Sequence, residues 1–321
     1  EEVLAQLNLS SSHDDVKYTF ENSAFRGFVA SMKSHCLDLL DQNPDVSMVE
    51  QSVHISSLSS RAKSPWGLQR VSSATTPSGN PQDSTFTYNF NGADSTQGKG
   101  VDIYIVDSGV NVDHQAFGGR AKVGFTFDGD NTDGDGHGTH VAGTAAADYF
   151  GVASGANIWA VKVLGADGAG SSSATLAGMN WVINHNEARK KEEGYVGAVM
   201  SMSWGLGSIS TAVDTAIKTA VGNGIHASVA AGNNAVDSCS ASPSSSGGAK
   251  GPAITVGSMD ISNKISKFSN SGACNDVYAP GENILSTWNT ANNMINFLSG
   301  TSMACPHVTG VIAYLMGEHK D

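Results

Sequence analysis

Four short segments place a reactive side chain next to glycine at the edge of an apolar run: VDIYIVDSG (101–109), DGHGTHVAGT (135–144), AAGNN (230–234) and SGTSMACPHVTG (299–310). The residues in them that could do chemistry are Asp107, His137, Asn233 and Ser302. A serine hydroxyl is a poor nucleophile at neutral pH. It becomes a good one beside a histidine that takes its proton and a carboxylate that holds the imidazole in the right tautomer. Attack on a carbonyl also creates an oxyanion, which needs donors aimed at it. Ser302 stands where a glycine-flanked turn opens an apolar helix, so its N–H and the positive end of that helix would face the charge, with the Asn233 amide as the second donor. Each residue alone has an ordinary reading: N-cap, strand-end turn former, surface histidine, turn asparagine. Only the combination points to acyl transfer.

The elements that must position these residues can be read from pattern. β-type runs at Val101–Val106, Ile158–Leu164, Ala198–Ser203, Ile225–Ala230 and Ala253–Val256 alternate with helical stretches at Ala174–Lys190, Thr211–Val221 and Met303–Met316. That alternation predicts an α/β fold, a parallel sheet sandwiched by helices. Chemistry in such sheets collects at the carboxyl ends of the strands, where Asp107, Ser203–Gly205, Gly232 and Asn233 fall. Ahead of this lies a small α+β unit: an extended run Val16–Met32, a short helix around His35–Leu40 halted by Asn43-Pro44, and a second run Asp45–Ile55. The serine-rich stretch Ser56–Ser64 reads as an exposed connector, so residues 1–58 and 59–321 are expected to be separate domains. Ser238–Gly251, rich in serine and glycine, reads as a surface loop.

The 321 residues are 40% hydrophobic and 15% charged with a net charge of −12. No apolar run approaches the length of a membrane helix, and the basic stripe of a nucleic-acid binder is missing, so neither membrane nor nucleic acid is an expected partner. Cys36, Cys239, Cys274 and Cys305 lack the CxxC spacing of a structural zinc site. Asn8-Leu9-Ser10 is a glycosylation sequon. The aspartate-rich run Asp128–Gly136 partly mimics a calcium loop, but counted from Asn131 its twelfth position is Ala142, where an EF-hand needs glutamate.

With their glycines in place and in the order Asp, His, Asn, Ser, the four segments resemble the subtilisin-like serine proteases. SPWGLQRVS (64–72), GVASGANIWAVKVLGADGAGSSS (151–173), SMSWG (201–205) and VYAPGENILSTW (277–288) look like the proteinase K branch, so the resemblance covers the chain from about Ser59 onward. It implies that Asp107 orients, that His137 is general base and then acid, that Ser302 is the nucleophile, and that Asn233 and Ser302 line the oxyanion hole. Spacing does not choose between His137 and His140; the family's HGTH pattern selects His137. His140 and His307 are then structural. For His307 helix geometry agrees, since five residues place it about 140° around and about 7.5 Å from Ser302.

The resemblance implies further properties. An extended peptide would add as a strand between Gly168-Ala169-Gly170 and Ser203-Trp204-Gly205, giving broad specificity; small residues at Ala231, Gly232 and Gly205 would leave an open first pocket with an apolar preference, although packing explains the same glycines. FRGFVASM (25–32) and NPDVSMVEQ (43–51) resemble the family's inhibitor propeptide, which implies intramolecular inhibition and help in folding; by position, self-cleavage is expected between Ile55 and Ser60, with Leu58-Ser59 the bond chosen. Cys239 and Cys274 match a pair that some relatives bridge, which fits an oxidising compartment: the secretory pathway, extracellular or vacuolar/lysosomal. Asp276 matches a calcium-binding position near Gly251–Ala253, with a one-residue departure in spacing; no cofactor is required for the chemistry. The expected partners are polypeptide substrates and the chain's own propeptide, with the enzyme a monomer. Against the family pattern the propeptide lacks its first strand and the chain stops at Asp321 where relatives continue, so a piece incomplete at both ends is expected. Two other readings compete: a latent or truncated scaffold that binds peptides without turnover, and a metal hydrolase using His137, His140 and the aspartates, for which the HxxH spacing supplies no full ligand set.

Overall fold

The computed structural model describes residues 2–22, 25–51, 58–92 and 95–319. The chain divides into two compact units, residues 1–56 and 57–321, a boundary two residues ahead of the expected one.

In the first unit the run read as one extended segment is a hairpin. Val16–Glu21 pairs antiparallel with Arg26–Ala30, and Phe25 N–H donates to Asn22 Oδ1 in the turn (2.8 Å). The helix Ser34–Asp41 follows, ending before Asn43-Pro44, and a short helix Glu2–Gln6 precedes the hairpin. Of the expected second run, residues 45–51 form no paired strand, and residues 52–55 lie outside the described residues.

The second unit is built on seven parallel strands: β1 (Val101–Asp107), β2 (Ala121–Thr126), β3 (Asn157–Lys162), β4 (Gly197–Met202), β5 (Ile225–Ala230), β6 (Ile254–Met259) and β7 (Val277–Pro280). Their order is β7-β6-β5-β4-β1-β3-β2. The chain moves outward from β1 to β2, returns to β3, and crosses to β4, so β1 sits where the winding direction reverses; the crevice at the carboxyl end of such a strand is where α/β sheets bind ligands. Within the serine-rich connector Leu58–Ser64 pairs antiparallel with Phe86–Asn91, so the expected cut at Leu58-Ser59 falls at the leading end of a strand.

β1 is buried along its whole length, as a strand covered on both faces must be. Val101, Ile103 and Ile105 face one core, shared with helix α1 (His137–Ala146) and helix α4 (Thr301–Glu318) through Val141, Ala145, Met303 and Ala313. Tyr104 and Val106 face the other, against helices α2 (Ser172–Arg189) and α3 (Thr211–Gly222) through Met179, Val182, Val213 and Ile217. Close approach of α4 needs glycine at Gly310, where a Cβ would lie 2.7 Å from both Ala145 O and Val152 Cβ.

Asp102 also points to the α2 face and is fully buried. Its carboxylate accepts from Arg189 Nε at 2.6 Å, Arg189 Nη2 at 3.2 Å and Asn157 Nδ2 at 2.8 Å, tying the end of α2 to β1 and β3. Arg189→Ala would strand that buried charge. It is expected to lower unfolding free energy by about 3 kcal/mol in urea titration, against under about 0.5 kcal/mol for an exposed control such as Lys218→Ala.

Candidate active site

Asp107 closes β1 with no exposure to solvent. Its Oδ1 accepts from its neighbour's backbone, Ser108 N–H, at 2.8 Å and lies 2.7 Å from His137 Nδ1; its Oδ2, equally buried, has no partner among the described residues. His137 is the first residue of α1, and its side chain is a quarter exposed. Burial pushes its imidazolium pKa down, but the Asp107 charge and hydrogen bond, backed by Asp135 and Asp133, push further the other way, so the net pKa lies above the ordinary histidine value. The pairing also separates the two histidines that spacing left open. His140 is buried, and its Nε2 lies 3.0 Å from Ile284 O and 3.1 Å from Asn296 O, away from Asp107.

Ser302 occupies the first turn of α4, where helix geometry leaves N–H groups without intrahelical acceptors. It is locked to the segment after β4 by a reciprocal pair: Ser302 Oγ donates to Ser203 O at 3.0 Å, and Ser203 Oγ donates to Ser302 O at 2.9 Å. The second bond exists because residue 306 is proline. Its missing N–H leaves the Ser302 carbonyl without its helical donor, and the Ser203 hydroxyl takes the place. Asn233 presents its amide edge-on: Oδ1 accepts from Thr301 N (2.8 Å) and Thr301 Oγ1 (3.0 Å), which fixes the flip and leaves Nδ2 free to face outward. A carbon placed on Gly300 would sit 3.6 Å from both Asn233 Nδ2 and Ser302 N. Two N–H donors therefore lie at equal distance from one point. A hydroxyl, an imidazole paired with a buried carboxylate and two N–H donors are the kinds of group that acyl transfer would use.

The segments expected to flank a bound peptide follow β3 and β4, the two neighbours of β1. Gly168-Ala169-Gly170 is exposed and forms the outer arm of a tight turn, with Gly165 N–H to Ala169 O at 2.8 Å and Leu164 bridged to Gly170. Ser203-Trp204-Gly205 is anchored by Trp204 Nε1 to Val106 O at 2.9 Å, and Gly205 faces open space. Gly232 and Ala231 answer to packing. Gly232 has φ +103°, and a Cβ there would lie 2.4 Å from Asn270 Nδ2; Asn270 in turn donates to Ala231 O and accepts from Asn234 N and Val236 N. Asn270 escaped sequence reading because nothing in its SNSG context marks it, yet it shapes the turn that carries Asn233.

Cys239 and Cys274 are bonded, while Cys305 is buried and free, with burial pushing its thiol pKa up. The carboxylate of Asp276 already accepts from Gly248 N (2.9 Å to Oδ2) and Thr255 N (2.8 Å), and among the described residues no three acidic, histidine or cysteine side chains cluster. Those two amides hold the carboxylate in place and leave acceptor positions on it unused, since an ionised carboxylate has about four. The aspartate-rich loop 128–136 carries its own cation: the buried Lys162 ammonium lies 3.3 Å from Asp130 Oδ2, 3.6 Å from Asp128 Oδ2 and 2.8 Å from Thr132 O.

Comparison with known proteins gives a consistent set of likenesses. A family model, Subtilase family (Peptidase_S8), matches residues 98–321. The chain is 40% identical over 314 residues to the subtilisin-like serine protease Cur l 4.0101 of Cochliobolus lunatus, covering 94% of this chain and 60% of that protein. It is 39% identical over 310 residues to a cuticle-degrading serine protease of Arthrobotrys oligospora, covering 95% and 71%. The crystal structure of a cold-adapted subtilisin-like serine proteinase superposes with a TM-score of 0.69 at 37% identity, covering 81% of this chain and 87% of that one. The chain spans about 60% of the length of the first of these relatives.

His140 and His307 are buried neutral, their pKa values lowered by burial to about 3 and about 4. Above pH 6.5 neither folded nor unfolded chain protonates them. As pH falls from 6.5 towards 4 the unfolded chain takes up protons that the folded one refuses, so stability is lost on acidification. Between pH 6 and pH 4 the two should contribute a slope approaching about 2.7 kcal/mol per pH unit, and His307→Gln should remove roughly half of that excess slope in denaturation curves taken across the range.

Proposed function

The chain belongs to the subtilase family, and from that membership and the site we propose that it is a serine endopeptidase with Asp107, His137 and Ser302 as its triad. The observation that carries the reading is the 2.7 Å bond between a fully buried Asp107 and the first residue of the helix that bears His137. In this reading each group has its own task. Ser302 Oγ rotates from Ser203 O towards His137, whose Nε2 takes the hydroxyl proton as Oγ attacks the scissile carbonyl carbon. Asp107 stabilises the imidazolium that forms. The carbonyl oxygen, now negative, accepts from Ser302 N–H and Asn233 Nδ2. Collapse breaks the C–N bond, the leaving amine takes the proton from His137, and an ester remains on Ser302. Water, deprotonated by His137, attacks that ester and the steps reverse.

Binding of an extended peptide beside Gly168–Gly170 and Ser203–Gly205 would use main-chain hydrogen bonds, which supports broad specificity, and the open space at Gly205 suits apolar side chains. The first unit is proposed as an inhibitory propeptide removed by the enzyme itself near Leu58-Ser59. The Cys239–Cys274 disulfide supports passage through an oxidising secretory compartment. No helix among the described residues is long and apolar enough to cross a membrane. One observation favours the competing, non-catalytic scaffold: the Ser302 hydroxyl is bonded to Ser203 O, and among the described residues it has no bond to His137.

Mass spectrometry of the chain after exposure to an active-site fluorophosphonate, beside a Ser302→Ala control, separates the two. An adduct on Ser302 together with a cut near Leu58 that the control lacks is expected; a folded chain that is neither labelled nor cut would leave the scaffold. Asn233→Ala should lower kcat by about 10²- to 10³-fold with little change in KM. Because His137 must be neutral to accept the proton and its pKa is raised, kcat/KM should fall as pH drops through a value above the ordinary histidine pKa.

A further inference from the structure

We propose that Asp133 is the positioning residue that sets the His137 imidazole against Asp107. The inference rests on the reading of His137 as general base and adds the element that aims it. Asp133 lies four residues before His137 in the aspartate-rich loop, yet it is not part of that loop's exposed face: it is buried, and its carboxylate accepts five hydrogen bonds. Oδ1 takes Ser108 Oγ at 2.9 Å, Gly136 N at 2.8 Å and Asp135 N at 3.2 Å. Oδ2 takes Thr139 N at 2.9 Å and Thr139 Oγ1 at 2.6 Å.

These partners surround the triad pair. Ser108 directly follows Asp107, and its hydroxyl, while donating to Asp133, accepts from Gly138 N at 2.9 Å, the residue directly after His137. The first three N–H groups of α1 are thus each capped by a different side chain: His137 N by Asp135 Oδ1 (3.0 Å), Gly138 N by Ser108 Oγ, and Thr139 N by Asp133 Oδ2. Asp133 bonds both to the residue that follows the strand end carrying the carboxylate and to the helix start carrying the imidazole, and it holds Ser108, whose hydroxyl also reaches the helix. Room for error is small, because a Cβ on Gly138 would lie 2.0 Å from Gly109 O and one on Gly109 would lie 3.2 Å from Asp133 Cα. The backbones that hold the two triad residues are in contact, and the Asp133 carboxylate fixes their mutual angle. An asparagine in its place keeps the shape but turns one of the two acceptors into an NH₂ group facing donors.

The experiment has two readouts. In a Ser302→Ala background, where self-digestion is absent, the downfield proton resonance of the His137 Nδ1–H bonded to Asp107 is recorded, with His137→Ala as the assignment control. In the unmodified background, kcat and KM are measured on a peptide amide. Asp133→Asn is expected to displace or abolish the resonance and to lower kcat by about 10²-fold with KM within about threefold. Ser108→Ala, which removes the relay hydroxyl and leaves Asp133 in place, should do the same to a smaller degree, and Ser108→Thr, which restores a hydroxyl, should recover most of it. Wild-type resonance and kcat in Asp133→Asn would overturn the proposal; if that variant does not fold, unchanged values in Ser108→Ala overturn it instead. Should the unmodified chain have no peptidase activity at all, the endopeptidase reading falls, and the resonance alone decides the positioning role.

Discussion

The Asp107 carboxylate has no route to water. A buried carboxylate must be compensated by donors, and this one has two: an N–H from its own backbone neighbour and the His137 imidazole. The rest of the second unit follows from that need. β1 must be central to bury Asp107, α1 must begin where the strand stops, and the loop between β2 and α1 must deliver the helix start at the right height. Its two ends are held by opposite means, an ammonium at Asp128 and Asp130 and a ring of N–H and O–H donors at Asp133. Charge neutralisation anchors the solvent side, and hydrogen bonding alone anchors the dry side.

Much of this was legible in the sequence because periodicity and glycine punctuation report burial directly. β1, β5 and the helices at 172–189, 211–222 and 301–318 fall within a few residues of their expected spans. Most of what escaped has a common physical character. The strand at 58–64 is mostly polar and pairs with 86–91 across more than twenty residues, so no local pattern marks it; FTYNFN at 86–91 does carry the aromatic–polar alternation of a strand, and that signal went unread. Val16–Met32 reads as one extended run because its turn is made by an asparagine rather than by glycine or proline. In the site, Asp107, Asn233 and Ser302 were readable as types in glycine-marked settings, whereas Asn270 and Asp133 act through bonds to backbone groups whose positions only the fold supplies. The choice between His137 and His140 was open for the same reason: three residues apart on one helix, they differ in what they face and not in what they are.

The metal expectations show how one residue type serves different ends. Asp276 spends its carboxylate on the amides of Gly248 and Thr255, and Asp102 on a guanidinium, while Asp128 and Asp130 share a lysine. An aspartate-rich stretch therefore identifies a need for donors without saying which kind meets it. In the loop before His137 those donors are a lysine and backbone and hydroxyl groups of the protein itself.

The four chemistry-bearing segments are spread along the chain, and α4 is the last of them. During synthesis β1, α1 and the Asn233 turn leave the ribosome first, and Ser302 follows on the order of ten seconds after His137 at ordinary rates. The reciprocal Ser203–Ser302 pair, one bond of which depends on Pro306, can form only when α4 docks on a sheet already in place. A growing chain thus carries the Asp107 carboxylate, the His137 imidazole and the Asn233 amide before it carries the Ser302 hydroxyl. Under the proposed function, the order of the segments would work as a timer that withholds activity from the nascent chain until the fold is nearly complete.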